Sequence, residues 1–312
     1  MKVFGKVLAA LVGLSLVAGG VACSQSPEED NQTSGFVGAS AAKPVRVLTW
    51  NICGDICWPK ADPDSFYPNR DFRGDNNTRA SAIIHAIDAW GAEAIALQEV
   101  CESQYDEVAK RLRARGWQGA FYKKAIDPVG HCDGYVNNNP RKRSYGDAVF
   151  TKDKVNSYSY QNIQGDDYPS SPGYKWFMTC AHTNKYSFCT VHIRTKCAAD
   201  YVGNCTTLKN AQQTEQITII RAALRKLWLT RPVILLGDFN SFPNGTALPL
   251  YTDFIEADAA QNEATVVKEN TSKIDMIFYD KAHWKNQDGD SAAAGPGTIS
   301  DHRLLRGLAY RK

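Results

Sequence analysis

The stretch VILLGDFNSFP, residues 233–243, joins an aliphatic run to a group of polar side chains. The run from Val233 to Leu236 has the length and the bounding glycine typical of a buried strand. Asp238 and Asn240 follow two residues apart, which places both side chains on one side if the strand continues. Carboxylates and carboxamides there could bind a cation or hydrogen-bond a substrate. The alternative is a plain polar turn, because Asp, Asn, Ser and Pro are common turn residues.

Four other stretches place polar groups at the ends of apolar strands or inside them. TWNIC, ALQEV, KIDMIF and TISDHRLL contribute Asn51, Glu99, Asp275, and the pair Asp301 and His302. A buried polar group is costly unless it is paired, and a single case is usually a satisfied structural residue. Five such stretches in one chain are harder to explain as structure alone, and they predict a shared site.

The elements that must position these residues follow from the apolar patterns. We predict helices over 76–91 and 207–228 and an exposed helix over 103–116. We predict strands over 45–50, 94–100, 146–152, 155–163, 174–180, 186–195, 233–236, 272–280 and 301–310. Strand–helix–strand units at both ends, with β meanders between them, predict two packed sheets flanked by helices.

The N-terminal region has a different composition from the rest of the chain. Residues 1–22 combine two lysines with a short apolar stretch, which predicts a secretory signal peptide and not a membrane span. Cys23 follows GVA, a sequence that resembles a bacterial lipobox, so we expect a lipid there; the alternative is ordinary cleavage nearby. Residues 23–43 predict a disordered tether, and residues 44–312 a single domain. The protein is therefore expected to be secreted or anchored at the cell surface.

The cysteine content fits an exported protein. The chain has nine cysteines, so eight remain if Cys23 is lipidated. The absence of CxxC spacing and of a tight Cys/His cluster argues against zinc, and oxidised pairs fit an exported chain better. Sequence does not determine the connectivity. Proximity along the chain suggests the pairs Cys53–Cys57, Cys180–Cys189, Cys197–Cys205 and, with the two that remain, Cys101–Cys132.

The polar stretches, taken in order, resemble a known family. TWN, LQE, VHIRT, GDFNS, KIDMIF and SDH are similar to motifs of the endonuclease/exonuclease/phosphatase superfamily, which includes DNase I, abasic-site endonucleases and neutral sphingomyelinases. The similarity spreads over most of residues 45–310. It implies a DNase I-like α/β fold: a four-layer sandwich of two packed, mainly antiparallel β-sheets flanked by helices. The site would lie where loops from one end of both sheets converge.

The resemblance implies a metal site. Glu99 corresponds to the main metal carboxylate, with Asn51 and Asp301 nearby. Mg²⁺ suits such a set, because it is a hard cation that one or two carboxylates, waters and phosphate oxygens can hold. Mn²⁺ and Ca²⁺ are alternatives.

The resemblance also implies the residues of catalysis. His302 corresponds to the catalytic imidazole, oriented by Asp275, and His192 to the second histidine of the family. Asp238 would position or deprotonate the attacking water, and Asn240 would donate hydrogen bonds to the charge that grows on the phosphate oxygens.

Two positions depart from the family pattern. Cys53 stands where abasic-site endonucleases carry an aspartate, which argues against that subgroup. Lys124 falls near the expected position of the glutamate that partners the second histidine in DNase I, so His192 would be supported differently here.

These features predict an exported, monomeric, Mg²⁺-dependent phosphodiester hydrolase with nuclease-like activity. The net charge of +3 is too small to indicate nucleic acid by itself. The loop PRKRSY carries Arg141 and Arg143, which would contact substrate phosphates; the alternative is a solvated loop. Nucleic acid is the expected partner, and membrane contact is expected only through a lipid anchor. A sphingomyelinase-type phospholipase and a non-catalytic surface binding protein remain as alternatives.

Overall fold

A computed structural model describes residues 43–54, 76–126, 132, 144–164, 175–194, 205–266, 272–291 and 300–312. The helices within these ranges are α1 (Asn76–Trp90), α2 (Glu102–Arg113) and α3 (Cys205–Trp228), with a short 3-10 helix at Leu248–Thr252. The strands are β1 (Val45–Asn51), β2 (Ala94–Cys101), β3 (Gln118–Ile126), β4 (Ser144–Thr151), β5 (Val155–Asn162), β6 (Phe177–Thr183), β7 (Ser187–His192), β8 (Val233–Asp238), β9 (Phe254–Glu256), β10 (Asp275–Asp280), β11 (Trp284–Asp290) and β12 (Leu305–Arg311).

The described strands form two six-stranded sheets. The first sheet has the order β11-β12-β1-β2-β4-β3, and the second has the order β5-β6-β7-β8-β10-β9. The pairs β1·β2 and β7·β8 are parallel, whereas the other pairings are antiparallel. Both sheets are therefore mixed and mainly antiparallel, as expected from the sequence.

Three apolar layers hold the sandwich together. Leu48 packs in a cluster with α1 and α2, while its neighbour Val47 packs in the cluster between the two sheets. In the second sheet, Leu235 lies on the α3 side and Leu236 faces the first sheet. Successive side chains of a strand point to opposite faces, so a fully apolar strand serves two cores at once. The result is the predicted four-layer α/β sandwich.

Two sequence-based expectations about the elements were wrong. Helix α2 was expected to be exposed, but it buries Val108 and Leu112 against the first sheet. Strands β3, β9 and β11 were not predicted. Strand β11 reads WKNQDGD, and most of its side chains are at least partly exposed, so the sequence carries no apolar alternation there.

Five cysteines in the described residues are disulfide-bonded. Cys101–Cys132 and Cys180–Cys189 form disulfides, with Cα–Cα distances of 5.5 and 4.0 Å, which confirms both expected pairs. Cys53 is also disulfide-bonded. Its expected partner and the expected Cys197–Cys205 bond involve side chains outside the described residues, as does the N-terminal segment with Cys23. Disulfides of this kind suggest a non-cytoplasmic protein. Among the described helices, none has the length and apolar character needed to cross a membrane.

Candidate active site

Polar residues from both sheets meet at one end of the sandwich. The parallel pair β1·β2 brings Asn51 and Glu99 to one edge of the first sheet, and the parallel pair β7·β8 places His192 opposite Asp238 in the second. Parallel strands end at the same edge, which is why polar groups far apart in sequence become neighbours. Asn51 joins the two sheets directly, because its Nδ2 donates to Asp238 Oδ2 at 3.0 Å.

Asp238 lies at the centre of the cluster and is buried. Its Oδ1 accepts the backbone N–H of Asn240 at 2.8 Å, and its Oδ2 lies 3.7 Å from His192 Nε2 and 3.9 Å from His302 Nε2. Burial raises the pKa of Asp238 to about 7, and the neighbouring Asp275 carboxylate adds to the rise, while His302 opposes it. The carboxylate can therefore accept a proton near neutral pH.

His302 is held by the residues around it. Its Nδ1 lies 2.8 Å from Asp275 Oδ2, and its backbone N–H donates to Ser300 Oγ at 3.0 Å. Ser300 in turn donates its hydroxyl to the carbonyl oxygen of Asn51. Burial disfavours the charged imidazolium, but the carboxylates of Asp275 and Asp238 outweigh it and raise the pKa of His302 well above its usual value.

His192 has carboxylates on both sides of its ring. Its Nε2 lies 3.8 Å from Glu99 Oε1, and its Nδ1 lies 4.0 Å from Asp147 Oδ1. The ring of Trp176 meets the imidazole edge-on at 5.7 Å between centroids. Both His192 and Asp147 are buried, so their mutual orientation is fixed by packing.

Asp147 was not among the residues predicted from sequence. It lies in SYGDAVFT, a strand whose eight residues are all buried, and a charged residue inside such a run is the signal that could have identified it. A carboxylate was expected near Lys124 on β3, whereas the structure places one beside His192 on β4, the neighbouring strand. Tyr122 on β3 is the register partner of Asp147, which places β3 directly beside this group.

The backbone at Glu99 departs from a regular strand. Its φ is +57°, and the pairing of β2 with β4 shifts between Leu97 and Val100. A non-glycine residue in the left-handed region is strained, and such strain concentrates at functional sites. The irregularity occurs where the side chain, 21% exposed, reaches the cluster. Glu99 is the least buried of the carboxylates around His192, which suits a residue that must meet a ligand from solvent.

Asp238 and Asn240 do not share a side through strand alternation, because β8 ends at Asp238. Asn240 has φ +45°, and its Nδ2 donates to the carbonyl oxygen of Ile193 at 2.9 Å. A carboxamide nitrogen carries two protons, so a second donor stays available. Gly237, the residue before Asp238, must be a glycine, because a Cβ there would lie 2.0 Å from the carbonyl oxygen of Val191.

Two separate sets of donors could hold a divalent cation, and Glu99 and Asp301 form the first. Asp301 is half-buried. Burial raises its pKa, the positive charge of His302 lowers it, and the negative charge of Glu99 raises it further. A carboxylate beside a second negative charge forms a site that a cation would neutralise, so Glu99 and Asp301 fit a divalent cation. Asp238, Asp275 and His302 also bring ligand atoms within 4.8 Å of one another. In that second set, however, His302 Nδ1 already engages Asp275, and a protonated imidazole cannot ligate a metal.

The structure thus brings together the predicted residues Asn51, Glu99, His192, Asp238, Asn240, Asp275, Asp301 and His302, all of which have a contact or charge interaction within the cluster. Arg141 and Arg143 lie outside the described residues, so their placement stays a prediction.

Comparison with known proteins agrees with this fold. The model of the Endonuclease/Exonuclease/phosphatase family matches residues 48–302, and the chain belongs to this family. A search of curated protein sequences found no match.

Several solved structures share the fold at low identity. The catalytic domain of human Nocturnin with bound sulfate superposes with a TM-score of 0.61 and 18% identity, covering 86% of this chain and 94% of that one. The 3′ phosphatase NExo from Neisseria, bound to a product DNA hairpin, gives 0.56 and 14%, covering 86% and 99%. A mannosyl-6-phosphatase of Bacteroides thetaiotaomicron gives 0.57 and 14%, covering 85% and 100%.

Proposed function

We propose that the protein is an exported, Mg²⁺-dependent phosphodiesterase that hydrolyses nucleic acid. The observation that carries this proposal is the position of Asp238 between two imidazoles, with Nε2 atoms 3.7 and 3.9 Å from its Oδ2. One carboxylate and two imidazoles around one point provide a base and an acid for the hydrolysis of a phosphoester. The family as a whole contains both nucleases and phosphatases. The carboxylate and the two imidazoles therefore support phosphoester hydrolysis more strongly than they support nucleic acid as the substrate.

The proton transfers balance with residues of this chain. Asp238 accepts a proton from water as the water oxygen bonds to phosphorus, which its pKa of about 7 permits at neutral pH. The bond from phosphorus to the leaving oxygen breaks, and that oxygen takes a proton from the His192 imidazolium, which the Asp147 carboxylate stabilises across 4.0 Å. The products are a phosphomonoester and an alcohol.

The remaining residues stabilise negative charge on the phosphoryl oxygens. The raised pKa of His302 keeps its imidazole protonated at neutral pH, so Nε2–H can donate to a phosphoryl oxygen. Asn240 has a second amide proton for the same purpose. Glu99, Asp301 and the Asn51 oxygen would hold Mg²⁺, which supplies additional positive charge to the phosphoryl group when bound.

One panel of assays tests the proposal. The purified chain with Mg²⁺ is offered plasmid DNA, RNA, sphingomyelin and inositol phosphates at equal phosphate concentration. Cleavage of DNA or RNA is the expected result. Release of phosphocholine from sphingomyelin without cleavage of nucleic acid would overturn the substrate assignment, and inactivity on all four with Mg²⁺, Mn²⁺ and Ca²⁺ would overturn the proposal as a whole.

The run of basic residues at positions 141–143 supports nucleic acid over lipid. Arg141, Lys142 and Arg143 stand together and would contact successive phosphates, so binding should weaken steeply as salt rises. Cleavage of duplex DNA at low and high salt is compared for the parent and a variant with all three changed to Ala. We expect the variant to cleave more slowly at low salt and to show a smaller salt dependence; an unchanged salt dependence would mean that these three residues do not contact the substrate.

We also propose that the chain is exported by residues 1–22 and anchored through a lipid on Cys23. The apolar segment after two lysines and the odd cysteine count support this assignment. One acyl chain holds a protein weakly to a membrane and two hold it stably. Mass spectrometry of the native N-terminal peptide is the test, and an unmodified terminus that begins elsewhere would contradict lipidation.

A further inference from the structure

Two tyrosines on the edge strand β5 are unusually exposed. Tyr158 and Tyr160 are 38% and 44% exposed, although most large apolar side chains in the described residues are buried. Among the strands that the structure describes, β5 pairs only with β6 and forms the border of the second sheet. Because the two tyrosines stand two residues apart, their rings lie on the same face, about 7 Å apart along the strand.

This exposed pair is continuous with the candidate active site. Tyr160 contacts Tyr122 with ring centroids 5.2 Å apart, and Tyr122 contacts Phe177 at 4.0 Å. Tyr122 is the register partner of Asp147, the residue that faces His192. An aromatic surface made of Tyr122, Tyr158 and Tyr160 therefore begins beside the His192 side of the site and extends away from it along the border of the sandwich.

The charges around this aromatic surface suit a polyanion. Strand β5 reads VNSYSYQN and carries no acidic side chain. Lys154 precedes β5, Lys175 precedes β6, and both are exposed, while the positive charge of Arg113 acts on the Tyr158 hydroxyl. Flat aromatic faces with cations near them are the combination that binds single-stranded nucleic acid without reading its sequence.

We propose that the aromatic surface is a nucleotide-binding subsite, in which bases of a single-stranded segment next to the scissile phosphate stack on Tyr160 and Tyr158. This inference rests on the proposed function and names its substrate more closely. A duplex would present its bases only at their edges, so stacking on these rings requires unpaired bases. The subsite therefore favours single strands or frayed ends over intact duplex.

Binding of a short fluorescein-labelled oligothymidylate tests the subsite by fluorescence anisotropy. Every protein in the comparison carries His302→Ala and is measured in the presence of Mg²⁺, so that cleavage is slow while the metal remains available. Tyr158→Ala with Tyr160→Ala is expected to weaken binding about 10-fold or more, because each stacked base contributes measurably to affinity. The double change to Phe keeps both rings and should retain affinity. Gln161→Ala, at an exposed neighbour on the other face of β5, is the matched control, and a melting curve for each variant confirms folding.

Three results would overturn the subsite: no binding by the parent, equal binding by the double Ala variant, or equal loss in the double Phe variant. Light scattering provides a fourth such result. If the parent is a dimer and the double Ala variant is a monomer with unchanged affinity for the oligothymidylate, β5 is a subunit contact. The outcome is separable from the proposed function. A parent that binds through the tyrosines but cleaves no nucleic acid with any divalent metal would keep the subsite and reject the nuclease assignment.

Discussion

Asp147 Oδ1 lies 4.0 Å from His192 Nδ1, and this pair spans the two sheets, with Asp147 on β4 and His192 on β7. In the second pair the positions are reversed, with the acid on the second sheet and the histidine beside the first. Asp275 begins β10 of the second sheet, and His302 precedes β12 of the first, with 2.8 Å between Oδ2 and Nδ1. Both acid–imidazole pairs therefore depend on the apolar layer that packs the sheets against each other.

Asp147→Asn should lower turnover about 10²-fold, because a neutral amide cannot stabilise the imidazolium of His192. The change is nearly isosteric, so the melting temperature should move little. Steady-state kinetics across a pH series is the measurement, since loss of the carboxylate should also shift the limb of the pH–rate profile that reflects the protonation of His192. Asp153→Asn is the control, because Asp153 pairs with exposed Lys185 at the surface. Unchanged turnover in Asp147→Asn would remove this residue from the mechanism.

His302→Ala and Asp238→Asn should each lower turnover by about 10² or more, the scale expected for losing proton transfer or charge stabilisation. Neither should change the melting temperature much. Turnover and thermal melting are measured on the same preparations. A variant that unfolds would identify its residue as structural, and a stable variant with the parent's rate would exclude that residue from catalysis.

Glu99→Gln should raise the Mg²⁺ concentration needed for half-maximal rate, since a carboxamide is a weaker ligand for a hard cation than a carboxylate. A chelator should abolish activity in the parent, and added Mg²⁺ should restore it. Glu102→Gln, three residues later at the start of α2, is the matched control. The same Mg²⁺ dependence in parent and Glu99→Gln would place the metal elsewhere.

Lys273→Met should destabilise the fold by about 3–5 kcal/mol, the scale for breaking a buried ion pair from one side. Lys273 Nζ lies 3.1 Å from Glu256 Oε2 and 2.7 Å from Asp258 Oδ2, and all three side chains are at most 2% exposed. Denaturant unfolding is the measurement. Lys185→Met, which removes an exposed ion pair, should cost about 1 kcal/mol or less.

The cost of Lys273→Met should depend on pH. Burial raises the pKa of both Glu256 and Asp258, and Lys273 opposes that rise. Without the lysine, the folded state holds protons that the unfolded chain releases above its usual carboxyl pKa of about 4. Stability of the variant should therefore fall relative to the parent as pH rises from about 4 towards neutrality. A deficit that is the same at all pH values would contradict this account.

The eight cysteines after Cys23 should all be oxidised. Alkylation of the folded chain without reductant, followed by intact-mass measurement, should detect no labelled thiol among them. The two described disulfides already account for four of these cysteines. Labelling of two or more would contradict the expected pairing of the remaining four, and the labelled peptides would identify which pair is absent.

Local sequence was sufficient to predict structure where the residue pattern and the feature that it predicts lie within one helix or strand. The aliphatic run before Asp238 predicts a buried strand, and Val233–Asp238 is one. The order of polar motifs along the chain likewise predicted the family and the four-layer sandwich, because the motifs follow strands that are recognisable in the amino-acid sequence as apolar runs. The Asp275–His302 contact followed from the family resemblance.

Tertiary structure decided everything that depends on which strands lie side by side. Asp147 and His192 are 45 residues apart and meet only because β4 and β7 face each other across the sandwich. Asn240 turns towards Ile193 because its backbone is left-handed, which alternation along a strand cannot indicate. The aromatic surface exists because β3 and β5 border adjacent edges of different sheets. Sequence patterns indicated most of the strands and their chemistry, whereas the pairing and packing of sheets determine which side chains come within reach, since those contacts are non-local.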